Sequence, residues 1–155
     1  MAYLEGSESM PEGCLFCVKP QEENAEAHIV HRGQLCYVIL NRFPYNNGHL
    51  MVVPYAHVAT LEELNAESMA EMMALAKLSM RVLREAYEPE GFNLGMNIGE
   101  VAGAGVAGHV HLHVVPRWGG DTNYMTCLAQ TRTIPEWIEE TYERLRPLFE
   151  EMTAR

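Results

Sequence analysis

His109, His111 and His113 occupy every second position of the run His109-Val110-His111-Leu112-His113-Val114-Val115-Pro116-Arg117. That alternation is the period of a strand, and it sets three imidazoles on one face of a sheet with Val110, Leu112 and Val114 on the other. A chain that carries it has to place a core against one side of this strand and a polar site on the other. Neighbouring imidazoles then lie ~6.5 to 7 Å apart, so the row can offer a central nucleophile with a helper on either side. A single histidine on an apolar strand reads as a buried, hydrogen-bonded core residue. Three in register, opened by Gly108 and closed by Pro116-Arg117, read as a site. The first and third span ~13 Å, too far for one ion held at ~2.0 Å by all three, although two of them could share one.

The remaining pattern supplies a partner for that strand. Leu35 to Leu40 is apolar enough to be buried on both faces, and His49-Leu50-Met51-Val52-Val53-Pro54 forms a second strand. Between them, Pro44 and Asn47-Gly48 are turn chemistry, so the two make a hairpin. Thr60-Leu61-Glu62-Glu63 has a capping-box pattern for a helix or helical turn. A longer helix runs from an Asn65 cap to about Tyr87, where Glu88-Pro89-Glu90-Gly91 stops it. Met69, Met72, Met73, Ala76, Met80 and Leu83 recur along it at three and four residues and predict one core-facing stripe. Phe92 to Ile98 is another strand. A C-terminal helix is expected from Ile134-Pro135-Glu136, with Trp137, Ile138, Tyr142, Leu145 and Leu148 inward and a break or kink at Pro147. Residues 1–13 are polar and aperiodic, an N-terminal arm. The sum is a single α+β domain, an antiparallel sheet of about five strands with two main helices packed across it.

The 155 residues suffice for one domain with a real core and are too few for two comfortable ones. Lys and Arg number 11 against 21 Asp and Glu, a formal net charge of −10. Partners such as nucleic acid or anionic membrane are therefore not expected, and an anionic substrate has to be held by local groups. No window approaches ~20 uncharged apolar residues, and Met1 to Gly13 lacks the basic start and apolar core of a signal, so the expected location is cytoplasmic. Of four cysteines, Cys36 and Cys127 read as packed thiols. Cys14 and Cys17 have the spacing that bites one tetrahedral ion, but such a pair also serves redox chemistry or merely packs.

Gly99, Gly103, Gly105 and Gly108 make a glycine-rich loop that delivers the chain into the histidine strand. Backbone N–H groups of such a loop can approach an anion closely, though glycine content alone fits a floppy hairpin equally well. Neutral imidazole is nucleophilic near pH 7, so loop and row together point to phosphoryl or nucleotidyl transfer.

His109-Val110-His111-Leu112-His113-Val114-Val115 resembles the signature of the histidine triad (HIT) family of nucleotide hydrolases and transferases. Asn41, Pro44, Gly48-His49 and Pro54 match that family's hairpin in order and spacing, and the likeness covers residues 14–125. Pro116-Arg117 and the following Trp118-Gly119-Gly120-Asp121-Thr122-Asn123-Tyr124 resemble the fragile-histidine-triad hydrolases and dinucleoside polyphosphate phosphorylases more than the phosphoramidase branch. The resemblance implies His111 as the nucleophile on the α-phosphorus of a dinucleoside polyphosphate, forming a nucleotidyl-histidine intermediate, with His109 and His113 completing the catalytic row. It implies His113 and Gly105-Val106 at the phosphate, His49 in support, Asn41 near ribose and phosphate, Asn97 as a phosphate-contacting amide and Trp118 as a pocket wall.

One departure stands out: where many members carry Ser or Thr three residues before the first triad histidine, this chain has Val106. A poor leaving group such as an amine loses its helper there, which tilts the expectation toward polyphosphates over a nucleoside phosphoramidase, or toward a nucleotide-sensing module with little catalysis. Zinc-bearing members further imply a structural ion on Cys14, Cys17, His57 and His109; His28 and His31 are the alternatives to His57, but they read as surface residues. The family also implies a homodimer.

Overall fold

The computed structural model describes residues 13–122 and 136–154. Five antiparallel strands, β1 (Ile29–Arg32), β2 (Cys36–Leu40), β3 (Leu50–Pro54), β4 (Gly91–Gly95) and β5 (Leu112–Arg117), lie in the order β1-β2-β3-β5-β4. The expected hairpin is β2 with β3, paired from Cys36 opposite Pro54 to Leu40 opposite Leu50. Both strands are buried along their whole length because the sheet carries a core on each face. One face gathers Val38, Leu40, Leu50, Val52, Val110, Leu112 and Val114 under the helices; the other gathers Tyr37, Ile39, Met51 and Val53 under Phe16 and Ala27. The period of two in each strand is therefore read out as two separate apolar clusters.

Helix α3 (Ala66–Tyr87) begins where Asn65 Oδ1 accepts the Ser68 N–H at 2.7 Å, an N-cap as the sequence predicts. Its core stripe differs from the expected one. Met72, Leu75, Ala76, Ser79, Val82 and Leu83 are buried, whereas Met69 and Met73 are 40% and 55% exposed. The face centres on Met72, Ala76 and Leu83, and Met73 lies about 100° round the helix from Met72. At Thr60 the expected capping pattern produces one short turn, Leu61–Glu63, with the Glu63 carboxylate accepting the Ala59 N–H.

The C-terminal helix α4 (Ile138–Thr153) buries Leu145 and Phe149 against the same core and runs on through Pro147. Trp137, expected inward, is 76% exposed at its N-cap. Ile134 and Pro135, the expected helix start, lie outside the described residues, as do Cys127, Asn123, Tyr124 and all but the last residue of the N-terminal arm.

Strand β1 has no counterpart among the sequence-read strands. It forms from Ile29 and Val30, and its His31 ring stacks on Phe149 at 5.8 Å. His28 is the left-handed cap of the short helix α2 (Asn24–Ala27). Both histidines are half-buried, not the surface residues the sequence suggests. Another short helix, α1 (Leu15–Val18), lies just after Cys14 and lays Phe16 on the sheet, where the buried Tyr37 hydroxyl donates to the Phe16 carbonyl at 2.8 Å. The turn from β2 to β3 closes through Gly48 at φ +74°. A Cβ there would stand 2.8 Å from Leu83 of α3, so the turn can press against the helix only as glycine.

Candidate functional site

Regular pairing of β5 starts at Leu112, yet the alternation extends back through the histidines. Val110 points into the helical core, and its N–H donates to the Val58 carbonyl at 2.8 Å. His109, His111 and His113 are all buried on the opposite side. What separates them is the partner of each ring, because a backbone carbonyl can only accept and so fixes where the proton sits. His109 Nε2 lies 2.8 Å from the Pro54 carbonyl, so it donates there and Nδ1 holds the lone pair. His111 Nδ1 lies 2.9 Å from the His109 carbonyl, so here Nδ1 donates and Nε2 holds the lone pair. Burial lowers the pKa of both below the ordinary histidine value, which keeps those lone pairs available at neutral pH.

His113 is set by a relay. The Tyr45 N–H donates to His49 Nδ1 at 3.0 Å, which leaves the proton of His49 on Nε2, and that atom lies 2.8 Å from His113 Nδ1. His113 Nδ1 accepts, and its Nε2–H is the donor it presents. Asn41 Nδ2 stands 3.4 Å from His49 Nδ1, and the Tyr45 ring stacks over His113 at 5.7 Å. The Phe16 ring packs against His111 at 4.8 Å and His109 at 5.6 Å. Neither Tyr45 nor Phe16 is marked by any period in the sequence. The one available signal for Phe16 is its place between Cys14 and Cys17.

The other end of the row meets the N-terminal cysteines. Cys14, Cys17, His57 and His109 each offer one donor atom, and all four atoms lie within 4.8 Å of one another. Cys14 Sγ is 3.3 Å and Cys17 Sγ 3.6 Å from His109 Nδ1; His57 Nδ1 is 3.3 Å from both Cys17 Sγ and His109 Nδ1. A tetrahedral ion with bonds of ~2.0 to 2.3 Å separates its ligands by ~3.3 to 3.8 Å, and these four contacts match that spacing. The Pro54 carbonyl on the far nitrogen of His109 is the outer contact that orients such a ligand.

Beyond His113 a cavity of about 290 Å³ opens over β5 and β4, lined by Tyr45, Asn46, Asn93, Asn97, His113 and Arg117 with Leu94, Gly95, Met96 and Val115. Among the residues expected around a substrate, His113 and Asn97 line it. Asn41 and His49 stand beside it through the relay. Gly105, Val106 and Trp118 do not line it: Val106 packs at the edge of the Phe16 cluster, and the Trp118 N–H donates to Asp121.

Burial pulls the His113 pKa from its ordinary value down to about 4, with the neighbouring His111 adding to it. Between about 4 and 6.5 the unfolded chain binds a proton here that the folded chain refuses. The stability His113 contributes is therefore complete above about pH 6.5 and is lost as pH falls toward 4. Urea midpoints measured across that window should fall with pH, and the His113→Asn variant should show a shallower fall. Equal slopes would place the loss elsewhere.

The HIT domain family model matches residues 22–120. An AP-4-A phosphorylase of Mycobacterium tuberculosis (strain H37Rv) is 47% identical over 126 residues, 81% of this chain and 65% of that protein, so the chain spans slightly under two thirds of its relative's length. Among solved structures, a zinc-bound histidine triad family protein from Mycobacterium smegmatis superposes with a TM-score of 0.73 at 29% identity, covering 92% of this chain and 96% of that one. A hypothetical histidine triad nucleotide-binding protein from Sulfolobus tokodaii gives 0.71 at 27% identity, covering 90% and 94%. With the triad, its relay and the sheet order in place, the chain belongs to the HIT domain family of histidine triad proteins.

Proposed function

We propose that the chain is a cytoplasmic enzyme that cleaves dinucleoside polyphosphates such as diadenosine tetraphosphate at the α-phosphate, passing the nucleotidyl group through His111. The observation that carries this is the division of labour along the row. His111 presents a buried lone pair, and His113 beside it presents an N–H that His49 and Tyr45 hold in place. In the first step His111 Nε2 attacks the α-phosphorus, and the bond to the bridging oxygen breaks to release a nucleoside polyphosphate. The His113 Nε2–H and the backbone amides at Gly105-Val106 take up the charge on the non-bridging oxygens. In the second, an oxygen nucleophile attacks the same phosphorus and the N–P bond breaks, freeing His111.

The name of the 47% identical relative supports inorganic phosphate as that nucleophile. Asn41, at the end of β2 beside His49, belongs to the ribose side in this reading, with Asn97 at the phosphate and Trp118 walling the nucleotide. Val106 places no hydroxyl near the leaving group, which suits a nucleoside polyphosphate and disfavours an amine. The same residue favours the second reading, a nucleotide-sensing module with little turnover.

We further read Cys14, Cys17, His57 and His109 as a structural zinc site, since two thiolates and two imidazoles close a tetrahedron and leave no open position for substrate. When bound there, the ion supplies cross-linking and no chemistry at phosphorus. A homodimer belongs to the same reading, and the exposed Met69 and Met73 of α3 offer it an apolar face. The net charge of −10 supports a reading without nucleic acid or anionic membrane as partner; among the described residues no helix is long and apolar enough to cross a membrane.

Diadenosine tetraphosphate given with inorganic phosphate should yield ADP and ATP, and without it turnover should fall or give AMP and ATP. Tight nucleotide binding with no product under either condition would decide for the sensing module.

A further inference from the structure

The cavity past His113 lies at the opposite end of the row from the Cys14–Cys17 cluster, with Tyr45 and Asn46 of the β2–β3 turn among its walls. Its walls follow from register. On β5, His113, Val115 and Arg117 point to one face, and on β4 they are opposed by Gly95, Asn93 and Gly91. Gly95, directly across from His113, has no side chain, and a Cβ there would meet nothing within 4 Å. That gap is where the cavity begins. The far wall is Arg117, four residues along the strand and so ~13 Å away. A lone phosphate cannot touch both ends; an extended polyphosphate can.

The chemistry of the lining matches. Among the described residues no acidic side chain lines this cavity, while three amides, an imidazole and the Asp121-paired guanidinium of Arg117 do. Arg117 is fixed in place. Nε and Nη2 donate to the two Asp121 carboxylate oxygens at 2.6 and 2.7 Å, Nη2 to Thr122 Oγ1 at 3.0 Å, and Nη1 to Asn93 Oδ1 at 2.6 Å. Asp121 also accepts from Asn46 Nδ2 at 2.8 Å, so the wall is one braced network. Asn93 is thereby oriented through its oxygen, and among the described residues no hydrogen bond engages its Nδ2 donors. Charge-assisted donors held rigid in this way suit phosphate oxygens.

We propose that this cavity is the subsite for the departing half of the substrate, and that Asn93, oriented by Arg117, grips its distal phosphates and so sets a preference for long polyphosphate leaving groups over short ones. The proposal rests on the reading of His111 and His113 as a nucleotidyl-transfer centre, and its test separates the two.

The test measures kcat/KM for diadenosine tetraphosphate and for a p-nitrophenyl ester of adenosine 5′-phosphate, whose leaving group ends close to the reacting phosphorus. The readout is the ratio of the two values, which does not depend on the fraction of enzyme that is folded. Asn93→Asp keeps the oxygen that Arg117 uses and replaces the amide donors with negative charge; Asn93→Ala removes the donors alone. The ratio should fall in the order wild type, Asn93→Ala, Asn93→Asp, by roughly ten- to a hundredfold at the extreme, the size of one hydrogen bond to a charged group. A ratio that stays at the wild-type value in both variants, whether each rate is preserved or both fall together, would overturn the subsite. Wild-type protein that turns over neither substrate would overturn the transfer reading and the subsite with it.

Discussion

His111→Ala is expected to lower turnover of diadenosine tetraphosphate by on the order of 10⁴ to 10⁶, because removing the proposed covalent nucleophile leaves only binding and electrostatic contributions behind. The geometry makes the loss specific. No other imidazole of the row presents a free lone pair toward the reacting face: His109 turns Nδ1 toward the cysteines, and His113 accepts through Nδ1 from His49. A substituted neighbour therefore cannot take over. Acid quench in the first turnover should trap a nucleotidyl adduct on wild-type protein and none on the variant. Because the His111 ring fills space beside Phe16 and His113, the variant also opens a cavity, and its unfolding midpoint has to be measured alongside. A folded His111→Ala variant with unchanged turnover would remove the nucleophile from the mechanism altogether.

The histidine row, the hairpin and the α3 cap were legible because each rests on a local rule: period two, turn residues between apolar runs, an Asn before a helix. What stayed hidden depends on pairs of elements. The row alone shows three equal imidazoles; their different roles come from carbonyls of Pro54 and His109 and from Tyr45, none of which has a sequence signature. Strand β1 escaped because its four residues are too few to show a period, and its His31 becomes half-buried only when α4 brings Phe149 against it. The Met stripe held at Met72, Ala76, Met80 and Leu83 and was drawn too wide at Met69 and Met73. Met is apolar enough to extend an apparent face, and only the position of the sheet decides that Leu75 and Val82 go inward in place of Met69 and Met73. The Arg117 network needed the register of β4 on β5 to bring Asn93 beside it, 24 residues away in sequence.

Removing one thiolate of the proposed zinc site, by Cys14→Ser, is expected to lower the melting temperature by roughly 10 °C or more. For a chain of this size each kcal/mol corresponds to about 2 to 4 °C, and a structural ion contributes several. The domain should remain folded, since the larger apolar cluster under the helices contains neither Cys14 nor Cys17, but the N-terminal segment should not keep its place. Helix α1 has four residues, far short of the ~12 a helix needs to stand alone, and its attachments are the cluster, the Tyr37 hydroxyl and the Phe16 ring. Phe16 sits between the two cysteines and lies on His111. Loosening the cysteines therefore exposes the nucleophile to water and frees its ring, so kcat should fall while His111 itself is intact. Elemental analysis of protein purified without added metal should find close to one equivalent of zinc in the wild type and much less in Cys14→Ser. Wild-type protein with under about a tenth of an equivalent, a trace level against affinities typical of such sites, would end the structural-metal reading and leave Phe16 held by packing and Tyr37 alone.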